Sequence, residues 1–279
     1  MDLSIIIVSW NVKALLQANL EALLKSQGLF SFEIFVVDNN SSDGSAAMIR
    51  ENFPTVHLLD NTENLGFAKA NNQALKLTQG KFILLLNPDM LVQRDTLEKV
   101  LAWASNQAQA TVVSCRLLNP AGENIPHVRR FPKLFDQLMV TLKVPHFWPA
   151  VLNKYLSKDF DYQEASRVDS VRGSFFLINR RNYQQISGQP IPLFDERYFL
   201  WFEEVDFCRQ AYKLGGEVWY TPEAVCLDQV GQSFKQVKTK QAQSYFSNSM
   251  LNYFKKWQPR WQYRVLYLAW KLIRGLLVF

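Results

Sequence analysis

The sequence predicts an α/β fold with a mostly parallel central sheet flanked by helices, closed by an amphipathic helical tail. Three observations lead there. Apolar runs alternate with amphipathic stretches through the first half, giving four β-α units in succession. The run Phe82–Leu86 is too short and too uniformly apolar for a surface strand and reads as one buried on both faces. Polar and acidic residues follow these runs directly, at the carboxyl ends of strands, where open α/β sheets bind ligands. With 279 residues, 20 Phe and 8 Trp, the chain suits one large domain, or a domain plus an appendage, with a sizeable core.

The units follow in order. "LSIIIVSW" (3–10) precedes a helical pattern of Leu15, Leu16, Leu20, Leu23 and Leu24. "FEIFVVD" (32–38) precedes "GSAAMIRENF", and "VHLLD" (56–60) precedes "GFAKANNQALKLT". "KFILLLNPD" (81–89) ends at Pro88, which has no N–H for the ladder, and precedes "RDTLEKVLAWASN" (94–106). The second half changes character. Residues 112–125 read as a strand and hairpin turning at Asn119-Pro120-Ala121-Gly122. Residues 127–168 read as irregular, interrupted by Pro132, Pro145 and Pro149, and 168–180 as a further strand. Residues 194–216 pass from loop into a helix ended by Gly215-Gly216, and 217–233 close the globular part. No G-x-G-x-x-G follows the first strand and no G-x-x-x-x-G-K-[ST] occurs, which disfavours the usual dinucleotide fold and P-loop chemistry.

Charge divides the chain. After Asp228 there is no acid, and nine Lys and Arg give that segment +9; with a total of +6, the first 228 residues carry −3. From Arg260 onward, Arg260, Arg264, Tyr267, Lys271 and Arg274 fall on one helical stripe and apolar residues on the other faces. Such a helix suits an anionic membrane surface through 260–279; the alternative is packing back on the domain or on a second subunit, as a homo-oligomer. Four cations in this stretch disfavour a spanning helix, and its apolar side disfavours nucleic acid. Cys115, Cys208 and Cys226 have no C-x-x-C spacing, which favours a reducing compartment over zinc or disulfides. The first residues enter a strand without a basic leader, so no signal peptide is expected. A cytoplasmic protein, peripheral on the inner face of the cell membrane, fits these features.

The polar residues converge on one sheet edge, with Asp38 and Asp89 expected at the carboxyl ends of neighbouring strands. Ser9, Trp10 and Asn11 end the first strand, Asp38 the second with Asp43 in the turn beyond, and Asn87 and Asp89 the fourth. "ENLGFAKANNQA" adds Asn64, Gly66, Lys69 and Asn72 as a ligand-facing loop that opens a helix. An acid at such an edge suits ribose or base hydrogen bonding, and Asp89 suits a divalent metal beside a pyrophosphate. "WFEEVDFC" sets Glu203, Glu204 and Asp206 among aromatics, where adjacent carboxylates raise one another's pKa and yield a general base near neutral pH. A helical first turn favoured by the macrodipole is the plainer alternative.

Together "SIIIVSWN", "VVDNNSSDGS", "NLGFAKANNQA", "LLLNPD", "RGSFFLINR", "FDERYFLWFEEVDFCRQ" and "AVCLDQVGQS" resemble, in order, the family 2 glycosyltransferases of GT-A fold, in particular the bacterial rhamnosyltransferase-like branch. The resemblance implies a GT-A, Rossmann-like domain over 1–233, with a nucleotide-sugar half (1–115) and an acceptor half (116–233); beyond it, charge and spacing make 234–279 a basic, amphipathic helical extension. It implies that Asp38, with Asn40 in the same motif, meets the nucleotide, and that Asp89 holds Mg²⁺ or Mn²⁺ against the donor pyrophosphate. Glu204, or its neighbour Glu203, would be the base, and Arg172, Gly173, Trp201 and Asp206 would face the acceptor. The implied reaction is an inverting transfer, with rhamnose from dTDP-rhamnose favoured, to a lipid-linked or polysaccharide acceptor in cell-envelope glycan synthesis. Two positions depart from the family: Asp228 stands where a His is frequent, as a second metal ligand, and Glu204 where Asp is usual. They motivate an alternative, a membrane-docked, sugar-nucleotide-binding pseudoenzyme. A sugar nucleotidyltransferase is disfavoured by the lack of an early Gly-rich triphosphate loop.

Overall fold

The computed structural model describes residues 1–229 and 239–276. The boundary expected at 233/234, Gly231 of the last motif and the tail's Leu277 and Phe279 lie outside the described residues. The first half folds as β1 (Leu3–Ser9), α1 (Lys13–Leu24), β2 (Phe32–Asp38), α2 (Ser45–Asn52), β3 (His57–Asp60), α3 (Phe67–Leu75) and β4 (Phe82–Leu86). These strands run parallel in the order β3-β2-β1-β4, so the four expected β-α units are present. Side chains alternate between two cores: Ile5, Ile7, Leu84 and Leu86 face one side, and Ile6, Ile83 and Leu85 the other. Burial on both faces stabilises each such side chain by roughly 1.5–3 kcal/mol and explains the uninterrupted apolar run of β4.

The sheet continues through the second half. β5 (Met90–Val92) and α4 (Thr96–Ser105) lead to β6 (Ala110–Leu118), whose hairpin closes through Leu118 and Asn124. There follow β7 (Val128–Arg129), α5 (Leu134–Thr141), 3-10 turns at Val144–His146 and Pro149–Leu152, β8 (Ser166–Arg167) and β9 (Ser170–Val171). Next come β10 (Phe175–Asn179), α6 (Arg180–Ser187), α7 (Glu203–Lys213) and β11 (Glu217–Asp228). The chain ends in α8 (Thr239–Trp257) and α9 (Arg260–Leu276). β10 inserts antiparallel between β4 and β6, so the full order is β3-β2-β1-β4-β10-β6-β11-β5, with β8 on β11 and β7-β9 as a separate ribbon. The division expected at residue 115 falls inside β6.

Three expectations need correction. β2 and β4 are not neighbours, because β1 lies between them. Residues 127–168 are not wholly irregular: α5 forms there, its apolar residues packing on the C-terminal helices rather than on the main sheet. The strand expected over 168–180 is broken at Arg172–Ser174 into β9 and β10. A third core, with Phe202, Tyr253, Phe254 and Leu266, binds α8 and α9 to the start of α7. Part of the tail thus packs back on the domain.

Candidate active site

A cavity of about 360 Å³ opens at the carboxyl ends of β1 and β4. Ser9, Asn64, Gly66, Asn87 and Asp89 line it, as the sequence suggested. Trp10, Asn39, Phe199, Gln241 and Tyr245 complete its walls. The Ser9 hydroxyl is fully buried and unpartnered, a polar atom held in place for something else. Asn39 supports the rim: its Oδ1 accepts from Asn61 Nδ2 (3.1 Å) and Leu65 N (3.3 Å), and its Nδ2 donates to Gly66 O (3.3 Å). Gly66 has φ +79°, and a Cβ there would lie 2.5 Å from Phe199 O, so only glycine lets the two loops meet. Phe67 N donates to that same carbonyl (2.7 Å).

The Asn87-Pro88-Asp89 turn rests on a residue outside every motif. Asn19 of α1 is buried, and its Nδ2 donates to Asn87 O (3.2 Å) and Met90 O (2.6 Å). Beyond the turn, β5 pairs with the end of β11, setting Met90 opposite Asp228, while Gln229 N donates to Asp89 O (3.0 Å). Asp89 and Asp228 are both buried, and both line a second cavity of about 410 Å³. The two cavities adjoin, since Phe67, Asn87, Asp89 and Leu200 line both.

The second cavity ends on the acids of α7. Trp201 (φ +65°) and Phe202 (φ +70°) adopt the left-handed region in succession just before Glu203, a conformation that costs bulky residues of order 1–3 kcal/mol each. The third core holds them there, with Phe246 edge-on to both rings and Ser249 Oγ donating to Leu200 O (2.8 Å). Glu203 is buried and Glu204 partly exposed; both line the cavity, and each has one buried oxygen without a partner. Burial pushes both carboxyls up, Glu203 further because the charge on Glu204 adds to it. For Glu204, backbone N–H groups and the Arg172 guanidinium oppose the rise. Of the two, Glu203 therefore holds its proton the more tightly, and Glu204 is the first to give its own up.

The opposite wall carries Arg172, Gly173, Ser174, His127, Arg129 and Tyr155. Arg172 Nη1 lies 3.6 Å from Asp228 Oδ2. His127 is fully buried, and burial lowers its pKa to about 4, so it is neutral at pH 7. Its Nδ1 lies 3.0 Å from Ile125 O, which can only accept, so Nδ1 carries the hydrogen. That leaves Nε2, which has no partner, as an acceptor at the cavity wall. The Ser174 hydroxyl is likewise unpartnered.

Several residues expected at the site are not brought to either cavity. Asp38 is fully buried behind the rim; Oδ1 accepts from Ser41 N (2.7 Å), Oδ2 is unpartnered, and burial raises its pKa. Asn11 and Asp43 tie the loops together, through Ser42 N to Asn11 Oδ1 (2.7 Å) and Lys13 N to Asp43 Oδ2 (2.8 Å). Asn40 is exposed at φ +67° in that same turn, and Lys69 is exposed on α3. Asn72 is not on a ligand-facing loop but buried in α3, latching Phe194 through both its amide atoms (2.8 and 2.9 Å). Asp206 does not face the acceptor cavity: it is buried beneath the acid turn, accepting from Lys256 Nζ (2.6 Å), Trp257 Nε1 (2.6 Å) and Tyr198 OH (3.0 Å). A carboxylate so fully bonded anchors α8 and is not available to a substrate. Asn19, Tyr245 and His127 escaped the sequence reading, since a single Asn, Tyr or His on an otherwise apolar element carries no spacing signal.

The donor set fits a divalent cation. The Asp89 and Asp228 carboxylates, both buried on the second cavity, are hard oxygen ligands, and no cluster of three or more His, Cys, Asp or Glu suited to a metal occurs among the described residues. The remaining oxygens would come from water and a bound phosphate, as magnesium sites beside phosphates usually have it.

An open cavity at the ends of parallel strands, joined to a second that ends on a carboxyl pair, is the layout of a GT-A transferase. The solved structure of the mannosyltransferase PcManGT from Pyrobaculum calidifontis, in complex with GDP-Man and Mn²⁺, superposes with a TM-score of 0.59 at 18% identity over 96% of this chain and 68% of that one. The profile of Glycosyl transferase family 2 matches residues 4–186, and the chain belongs to that family: it is a glycosyltransferase. Its relatives include the N-acetylglucosaminyl-diphospho-decaprenol L-rhamnosyltransferase of Mycobacterium tuberculosis, 28% identical over 75% of this chain and 71% of the relative. The rhamnosyltransferase WbbL of Escherichia coli K12 is 26% identical over 56% of this chain and 58% of its own.

Proposed function

We propose that the chain is a metal-dependent inverting transferase that moves a sugar, rhamnose from dTDP-rhamnose being favoured, to a lipid-linked or polysaccharide acceptor in cell-envelope glycan synthesis. The observation that carries this reading is the shared wall of the two cavities at Asp89. A nucleotide in the first cavity, between Trp10, Asn39 and Tyr245, would bring its diphosphate to Asp89 and its sugar toward Glu204. Asp89 and Asp228 would hold Mg²⁺ or Mn²⁺, which when bound neutralises charge building on the departing diphosphate. The Glu204 carboxylate takes the proton from the acceptor hydroxyl. The hydroxyl oxygen bonds to the anomeric carbon as the carbon–oxygen bond to the diphosphate breaks, and the nucleoside diphosphate leaves with the electron pair. Glu203 keeps its proton and holds Glu204 in line. His127 Nε2 and Ser174 Oγ accept or share acceptor hydroxyls. Asp38 stiffens the nucleotide rim through Ser41.

The mycobacterial relative's name, with its diphospho-decaprenol acceptor, supports a lipid-linked acceptor, and the Mn²⁺ of the mannosyltransferase complex supports the metal. Among the described residues no helix is long and apolar enough to cross a membrane. We read α9 as meeting an anionic membrane surface on the cytoplasmic side. The extension 234–279 then belongs to the catalytic unit as well, because Gln241, Tyr245 and Phe246 of α8 wall both cavities. The test is nucleoside diphosphate release from dTDP-, UDP- and GDP-sugars with Mg²⁺ or Mn²⁺ and a bacterial lipid extract, on wild type and Asp89→Asn. Release from one donor, lost in the variant, is expected; metal-dependent nucleotide binding without any release would favour the pseudoenzyme.

A further inference from the structure

The exposed aromatic side chains are not scattered. Among the described residues, the exposed large aromatics are Phe135, Phe147, Trp148, Trp261 and Tyr267, and every one lies on α9 or on the segment 134–149. These two segments touch: Leu134 and Leu138 of α5 share the third core with Leu266, Tyr263 and Trp270 of α9. The apolar side of α9 is thereby split. One strip packs inward through Leu266, while Trp261, Val265, Leu268 and Leu272, spaced by four, three and four, remain exposed. Beside α5, the turn after Lys143 projects Phe147, 92% exposed, and Trp148, 61% exposed, with Leu142 at their base.

We propose that α9 and the turn 142–149 form one docking face for an anionic lipid bilayer, with Phe147 and Trp148 as a second anchor beside the helix. This rests on the reading of α9 as membrane-facing, and adds an anchor from a segment the sequence left unassigned. Charge selects the occupant. α9 carries Arg260, Arg264, Lys271 and Arg274 and no acid, and residues 133–154 carry Lys133, Lys143 and Lys154 against Asp136 alone. Such a surface repels a second copy of itself and attracts anionic headgroups, while Trp and Phe settle at the interface. The two anchors also orient the enzyme. Arg129 and Tyr155, which flank the aromatic excursion in the chain, line the acid-bearing cavity, so docking sets that cavity beside the headgroups, where a lipid-linked acceptor presents its sugar.

The experiment is co-sedimentation of the full chain with vesicles of phosphatidylcholine alone and of phosphatidylcholine with one quarter phosphatidylglycerol. Wild type is compared with F147S/W148S and L268S/L272S. All four positions are exposed, and unchanged circular dichroism checks the fold. Wild type pelleting with the anionic vesicles only, and each double variant binding about tenfold or more weakly, is the expected result. Nucleotide binding stays at the wild-type level in both variants. Undiminished binding by F147S/W148S with loss in L268S/L272S would overturn the second anchor and leave the α9 reading standing. Wild type remaining in the supernatant would overturn both, and a dimer that dissociates in the variants would assign the face to a subunit contact instead.

Discussion

At the donor edge, short polar side chains hold the loops still: Asn11 and Asp43 bind backbone N–H groups across the turn, Asn39 fixes the Gly66 loop, and Asn19 carries the carbonyls of the Asn-Pro-Asp turn. The acid turn is held quite differently. Two consecutive bulky residues sit at positive φ, kept there by aromatic packing against α8 and by Lys256 and Trp257 on Asp206. Apart from Asn19, that edge is built by the residues that form its motifs. The paired glutamates depend on a helix that begins more than thirty residues later and belongs to no motif. The first cavity and the acid turn are thus supported by separable parts of the chain, joined where α8 also walls the first cavity.

The largest effect expected separates the two regions at the chemical step. Glu204→Gln lowers kcat by about 10³-fold, the usual range for losing a general base, while donor affinity stays near wild type. Glu203→Gln retains a donor toward Glu204 and keeps most of the activity. Single-turnover transfer measures both, and equal loss in the two variants would break the division of roles between them.

Removing the supports comes next. Asp206→Ala leaves Lys256, Trp257 and Tyr198 without their shared acceptor and costs about 3 kcal/mol, the usual result of breaking a buried charged pair. kcat falls with it, because Trp201 and Phe202 lose the helix that holds them. Asn19→Ala removes a hydrogen bond from each of two carbonyls, costing about 1–2 kcal/mol, and acts on metal and donor affinity rather than on kcat. Denaturant melts and isothermal titration with Mn²⁺ and nucleotide distinguish them; if Asn19→Ala altered kcat alone, the contrast between the regions would fail.

Acidity sharpens the same contrast within the acid turn. Both glutamates are raised above the ordinary value of 4.5, chiefly by burial. Between that value and the raised ones the folded chain holds more protons than the unfolded chain, so their contribution to stability is present at low pH and lost as pH rises. Asp195 is lowered, first by Arg197 and then by Lys256, so its contribution is present above the ordinary carboxylate range and lost on acidification. Activity requires Glu204 charged, so kcat/KM rises with pH along a limb above the usual glutamate range. Melting curves across pH on wild type and Glu203→Gln check the sign, the variant losing the Glu203 part of the decline and keeping the Glu204 part.

Much of this was legible in the sequence, for definite reasons. Strands buried on both faces write themselves as runs such as Phe82–Leu86, and loop chemistry needs Asn, Asp, Gly and Pro at fixed places, so the donor rim could be read locally. Asp206 misled because an acid next to two others looks like part of the same site; only the folded chain brings Lys256 and Trp257 to it. Asn72 misled in the same way, since a buried amide latching a distant backbone and an amide facing a ligand are identical in sequence. α5 was invisible because its apolar residues face the C-terminal helices in the third core instead of the main sheet; α8 falls in the expected helical extension, but its place against the acid turn carried no local signal.

The smallest effect belongs to His127, and it tests the wall farthest from the motifs. Held by Ile125 O and neutral at physiological pH, its ring lines the cavity and keeps Nε2 as a buried acceptor with no partner. If that nitrogen takes one acceptor hydroxyl, His127→Ala removes a single neutral hydrogen bond and raises the acceptor KM by about tenfold, with donor KM unchanged. Buried among Tyr162 and Tyr220, the ring also packs, so Ala alone would mix packing loss with loss of the acceptor. His127→Asn keeps part of the volume and a polar end, and recovery of acceptor KM there, without recovery of melting temperature, would assign the effect to the hydrogen bond. Equal changes in donor and acceptor KM would place His127 among the structural residues and leave the acceptor wall to Ser174 and Arg172.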